Sequence, residues 1–266
     1  MGLWKTSNEA MKNLSRYLLL LVVLFALQAC KPDEPIPPVT PPPVNTTGTL
    51  RVTLVPEWEG EPLQSFVEYR NFMDYRTTVE VLKMYLGDVR LVQGDDTIVV
   101  KDVDLFDLGN GPVSKDWTVT AGSWTSLRAA LAVPDDLNYA DPASYGAGHP
   151  LSVSNGTYWT WATGYRYVVF EGRYDTDPAS TTPLIDAYAI HPGMGPSYVE
   201  FDLVPAGGIT IAAGNTTEIL VRVAVDRFFH SDADQIDLET ENTAHGNNVP
   251  LQVKFVNNVV KSMTLE

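Results

Sequence analysis

From Thr49 onward the chain is written in short runs where apolar and polar residues alternate, or where apolar residues form compact blocks. Thr49–Val55 (TLRVTLV) alternates strictly. Side chains two apart share one face of a strand, so this pattern predicts a half-buried β-strand. Val79–Val92 repeats it, with a break expected at Gly87-Asp88. Thr97–Val103, Ser123–Val133, Tyr158–Glu171, Leu184–Ile190, Tyr198–Val204, Ile209–Ala212 and Thr217–Val225 continue the series. Between them stand Gln93-Gly94-Asp95-Asp96, Gly109-Asn110-Gly111-Pro112, Asp175–Pro183, Gly193–Pro196 and Ala213-Gly214-Asn215. Those residues favour turns, because Gly tolerates positive φ, Pro presets φ, and Asn and Asp cap the backbone locally. Many short strands with this punctuation predict an all-β, antiparallel β-sandwich. The last stretch differs. Leu251, Phe255, Val259 and Met263 recur every four residues, with Lys254 and Lys261 off that line, which predicts a short C-terminal helix packed on the sheet.

The first residues read as an address. Lys12 and Arg16 precede an uninterrupted apolar run, Tyr17–Leu27. Eleven residues at ~1.5 Å rise reach about 16 Å, against a hydrocarbon core of roughly 30 Å. The run therefore fits a cleavable signal peptide over residues 1–29 and not a membrane span. Leu27-Gln28-Ala29-Cys30 resembles a bacterial lipobox, in which Cys30 becomes the lipidated first residue of the mature chain. Residues 30–48 come next as a linker, with seven prolines between positions 32 and 43, a composition that favours extended polyproline geometry. The expected organisation is thus a signal peptide, a lipidated Cys with a Pro-rich spacer, and one folded domain over residues 49–266. The protein is expected to be an outer-membrane lipoprotein, facing the periplasm or the cell surface.

Charge and cysteine usage narrow the chemistry. The chain has 266 residues, 18 basic against 33 acidic, and a formal net charge of −15. Without residues 1–29 the mature chain carries 15 basic and 32 acidic residues, a net −17. Clustered cations are what phosphates need, so nucleic acid is not an expected partner. An acidic surface does not seek anionic headgroups either, which leaves the acyl chains on Cys30 to hold the membrane. Cys30 is the only cysteine. With its sulfur spent on lipid, thiolate zinc, iron–sulfur and blue-copper sites are excluded. The sequence has no G-x-S-x-G, H-E-x-x-H or phosphate-loop motif, and no enzymatic activity is expected.

Four histidines are available: His149, His191, His230 and His245. Two stretches around them stand out. One runs His149-Pro150-Leu151, Ser154-Asn155-Gly156, Tyr158-Trp159-Thr160-Trp161-Ala162-Thr163-Gly164-Tyr165-Arg166-Tyr167, then Glu171-Gly172. The other is Ala187–Gly193, which contains His191. With Leu82–Leu91 and His245, these segments resemble the MbnP-like domain family, periplasmic copper proteins associated with methanobactin uptake and their lipoprotein relatives. The resemblance covers most of residues 49–266. Thr157 stands where the family pattern often has Met, and Pro192 follows His191.

That resemblance implies a copper-binding β-sandwich of the cell envelope, acting in metal acquisition or buffering. It implies metal ligation by His149 and His191, with His245 third in a polar loop (Glu241–Asn248). It also implies that Trp159 or Trp161 is oxidised by a di-haem partner enzyme. Imidazole suits copper, and zinc is not excluded by it. Binding through ordinary imidazoles weakens below pH ~6.5 as they protonate.

Two other functions compete. Trp58, Trp117 and Trp124, if exposed, could stack on sugar rings, which would make the domain a surface adhesion or glycan-binding module without metal. Three histidines with an open position would suit a zinc hydrolase, although no general base sits at a recognisable spacing.

Overall fold

In the computed structural model, residues 46–160, 162–245 and 248–266 are described. The signal peptide, Cys30 and most of the Pro-rich segment lie outside them, as does Trp161. In chain order the principal strands are β1 (Thr47–Trp58), β2 (Val81–Gln93), β3 (Asp96–Asp107), β4 (Val113–Thr120), β5 (Ser126–Leu131), β6 (Tyr158–Thr160), β7 (Val168–Asp175), β8 (Asp186–His191), β9 (Val199–Leu203), β10 (Thr216–Ala224), β11 (Thr243–His245) and β12 (Met263–Leu265). Among the described residues two α-helices accompany them, α1 (Asp135–Asn138) and α2 (Val249–Lys261).

One sheet runs β12-β10-β1-β4. The alternation in β1 has the expected consequence. Leu50, Val52 and Leu54 are fully buried, while Arg51 and Thr53 reach across the other face to Asp116 and Ser114 of β4. The second sheet runs β9-β5-β2-β7-β8-β11, with β3 on the free edge of β2. Most pairings are antiparallel. Two are parallel: β1 with β10 and β8 with β11. Leu50, Val52, Leu54, Val221 and Val223 of the first sheet share one core with Leu82, Met84, Phe106, Phe170 and Ile190 of the second, the arrangement of a β-sandwich.

The break expected at Gly87-Asp88 is a bulge inside one continuous strand. Asp88 adopts φ 49°, and the pairing of β2 shifts register there against both β3 and β5. Before the bulge β2 pairs with β7, after it with β5. An extra residue turns the strand instead of ending it. β2 is buried on both faces, with Met84 in the main core and Tyr85 in a second cluster with Leu151, Tyr165 and Tyr167. The segment from Ala132 to Tyr167 supplies that second cluster and so covers the outer face of the sheet. It is pinned by α1, where Asn138 Oδ1 accepts the Tyr165 N–H at 2.8 Å. Gly164 is required at this close approach: its φ is 68°, and a Cβ would stand 2.4 Å from the Asn138 side chain.

The C-terminal helix is present. Asn248 caps it by accepting the Leu251 N–H, and Pro250 occupies its first turn, where a missing N–H costs nothing. Leu251, Phe255, Val256 and Val259 are buried, and the Phe255 ring lies 5.6 Å from Phe170 and 5.7 Å from Phe228. Met263 falls beyond the helix, in β12, where it is also buried.

Two of the three tryptophans proposed for sugar stacking are core residues. Trp58 and Trp117 are 3% and 4% exposed. Trp117 donates Nε1–H to Asp104, and Trp124 packs against the core with its Nε1 buried. Trp58 and Trp117 spend their apolar area on the core and Trp124 is half-buried against it, which weakens the feature that suggested glycan binding.

Candidate functional site

β8 and β11 end on facing histidines. In their parallel register His191 stands directly opposite His245. Alternation along β8 sends Ile190 into the main core and His191 to the outer face. His245 is a strand residue, not the member of a polar loop that its neighbours suggested, because the edge of β8 offers its short segment a hydrogen-bonding partner. The His191 and His245 Nδ1 atoms are 3.2 Å apart, with the rings tilted by 60°.

Glu171 completes one side. It pairs with Ala189 across β7 and β8, so its side chain lies diagonal to His191 on the same face. Its carboxylate is 2.8 Å from His191 Nε2. A carboxylate only accepts, so Nε2 carries the proton and the His191 Nδ1 lone pair points at His245. That is the arrangement by which a carboxylate fixes the tautomer of a metal-binding histidine.

Trp159, on β6, stands nearly perpendicular to both rings. Its centroid lies 5.2 Å from His245 and 6.2 Å from His191, at interplanar angles of 80° and 87°. The Arg166 guanidinium sits over the Trp159 ring, with Cζ 5.4 Å from the centroid. Burial lowers the His191 pKa to about 3, with Arg166 and His245 acting in the same direction. His245 is lowered too, by burial first and Arg166 second, while Glu171 opposes the shift. Both imidazoles are therefore neutral donors at neutral pH.

His149 is placed differently. It is exposed in the segment before β6, its ring stacked on Tyr145 with centroids 4.5 Å apart. Its Nδ1 accepts the Leu151 N–H at 3.1 Å, which puts the ring proton on Nε2. Ligation through Nε2 would cost that bond. The convergence expected of His149 with His191 is replaced, among the described residues, by the meeting of His191 with His245. His230 stacks on Phe72 in another part of the fold. Among the described residues no three His, Cys, Asp or Glu side chains are grouped to hold a metal ion. The three-histidine zinc centre is accordingly not assembled there.

The pair nevertheless fits a metal. Two nitrogens bound at about 2.0–2.1 Å to a tetrahedral ion stand about 3.3–3.4 Å apart. The observed 3.2 Å needs a few tenths of an ångström of adjustment. Sequence reasoning did not single out Glu171 or Arg166 as site residues. Each left a signal, a lone charge at the end of an apolar run (Val168-Val169-Phe170-Glu171) and a lone charge between Tyr165 and Tyr167.

Known proteins resemble this chain over most of the folded domain. The MbnP family model matches residues 47–250. Among solved structures, MbnP from Methylosinus trichosporium aligns with a TM-score of 0.46 and 14% identity, over 76% of this chain and 82% of that one. The curated proteins give no match.

Proposed function

This chain belongs to the MbnP family, and from that premise we propose that it is a non-enzymatic, lipid-anchored protein of the cell envelope that binds copper for acquisition or buffering. The observation that carries the reading is the line Glu171–His191–His245 with Trp159 in T-shaped contact with both imidazoles. His191 and His245 would hold the ion through Nδ1. Glu171 fixes the His191 tautomer and ring direction. Burial first, and Arg166 with it, keep both rings neutral, so binding need not displace an imidazolium proton at neutral pH. The bound ion would supply a redox-capable, imidazole-held copper centre beside an indole. Of the two candidate tryptophans, Trp161 lies outside the described residues and Trp159 stands beside both imidazoles; oxidative modification is proposed at one of them, with a di-haem enzyme as the partner.

Copper fits better than zinc on donor count. A structural zinc site has four protein ligands and a catalytic one three, whereas copper accepts fewer imidazoles with small added ligands. The test is metal stoichiometry of the wild-type chain and of His191→Ala, His245→Ala and His149→Ala, each loaded with copper and with zinc. One copper per chain is expected, lost in the first two variants. Uptake unchanged in both of those would remove the site. The His149 variant decides whether that residue joins as a third ligand. Intact mass of the protein from its native host reads whether a tryptophan is oxidised, and peptide mapping decides between Trp159 and Trp161.

A further inference from the structure

Among the described residues, the Arg166 guanidinium forms no hydrogen bond or ion pair, and its Nε is buried. This is unusual within the chain. Arg51, Arg76, Arg90, Arg128 and Arg222 each stand against an Asp or Glu. The chain also carries fifteen more acidic than basic residues, so carboxylates are not scarce. Burying a guanidinium donor without an acceptor is costly. The cation is held over Trp159, which is in T-shaped contact with both histidines.

Charge and donor number at this centre point the same way. Arg166 contributes +1, Glu171 −1 and the neutral imidazoles nothing, so the site is balanced before any metal enters. A copper ion adds charge with nothing opposite it, close to a guanidinium that repels it. Only two protein donors are grouped there. One group would remove both deficits, a small anion that accepts from the guanidinium and lends an oxygen to the ion. A guanidinium presents its N–H donors as a planar fork that matches a carboxylate. Oxygen donors suit Cu(II) more than Cu(I).

We propose that Arg166 forms an anion subsite, and that the two-histidine centre takes up Cu(II) together with a small carboxylate-type oxyanion. The proposal rests on the copper-binding reading above. Arg166 acts on the metal through the anion, as a positioning residue.

The test compares Cu(II) affinity of the wild-type chain in sodium acetate and in sodium perchlorate at equal ionic strength, corrected for the affinity of acetate for free copper. At least tenfold tighter binding in acetate is expected. Arg166→Gln should bind with the same affinity in both salts, and Arg166→Lys should keep only part of the difference. Equal affinity of the wild type in both salts overturns the proposal, as does an acetate effect that persists in Arg166→Gln. A second measurement needs no metal. Acetate titrated into the copper-free protein should move the Arg166 Nε–H resonance and perchlorate should not, and an unmoved resonance overturns the subsite even if a variant misfolds. Failure of the copper reading itself is seen separately, as full copper uptake by both His191→Ala and His245→Ala.

Discussion

A buried imidazole beside a carboxylate has its proton assigned by its neighbours, and His191 is such a group. Glu171 takes the Nε2–H, so Nδ1 is left as a lone pair facing His245. Glu171→Gln replaces a charged acceptor by a neutral amide that can also present a donor. Copper affinity should fall by about 10–100-fold, the usual cost of losing such an outer partner, as read by competition with a chelator of known affinity. An unchanged affinity would detach Glu171 from the site. Protonation gives a second prediction. In the unfolded chain His191 takes a proton near pH 6.5, but in the fold only near pH 3. Between those values the unfolded state binds more protons, so stability falls as pH drops through that window and its full contribution is present above pH 6.5. Urea denaturation at pH 7.5 and 4.5 should show a larger acid loss for the wild type than for His191→Gln, and equal losses would contradict the assignment. The same depression should move the acid limit of the proposed copper binding below the pH ~6.5 that ordinary imidazoles suggest.

At the scale of elements, the helix α2 and the edge pairing of β8 with β11 fix where the histidines stand. Gln252 of α2 accepts from Gly193 N–H and Ser197 Oγ–H, tying the segment after His191 to the helix. The helix in turn is held by its apolar face. Phe255→Ala should destabilise the domain by about 3–5 kcal/mol, while Lys261→Ala, on the exposed side, should stay within about 0.5 kcal/mol. Chemical denaturation separates the two, and comparable effects would mean that the helix is not anchored through Phe255. The elements were legible in the sequence to different degrees. β1 and β10 are clear because alternation survives intact over seven or more residues. The bulge in β2 read as a break because Gly-Asp signals a turn equally well. β4 was missed, since Val113–Thr120 carries Lys115, Asp116 and two threonines and takes its strand form from β1, which it pairs residue for residue. β11 was missed for a related reason: three residues have no period of their own.

At the scale of the whole molecule, the sequence N-terminal to the folded β-domain holds Cys30, the residue proposed for lipidation. Among the described residues no helix is long and apolar enough to cross a membrane. The attachment proposed for this chain is through Cys30. Labelled palmitate should be incorporated into the wild type and not into Cys30→Ser, and the variant should leave the membrane fraction. Retention of the variant in that fraction would place the attachment elsewhere. The net charge of −15 gives no electrostatic reason for the domain itself to bind an anionic bilayer.

The sequence by itself determined the fold class, the C-terminal helix and the candidate histidines, because period-two and period-four burial are local properties that a linear pattern records. The family is also legible there, in the Tyr-Trp-x-Trp-x-x-Gly-Tyr segment. Only the tertiary structure decided that His191 meets His245 and that His149 spends its Nδ1 on Leu151. It also decided that Glu171 adjoins the pair, that Arg166 lies over Trp159, and that Trp58 and Trp117 are core. These depend on strand register and on which face each strand presents. A shift of one residue in pairing exchanges the two faces, and no run of residues states its partner's register.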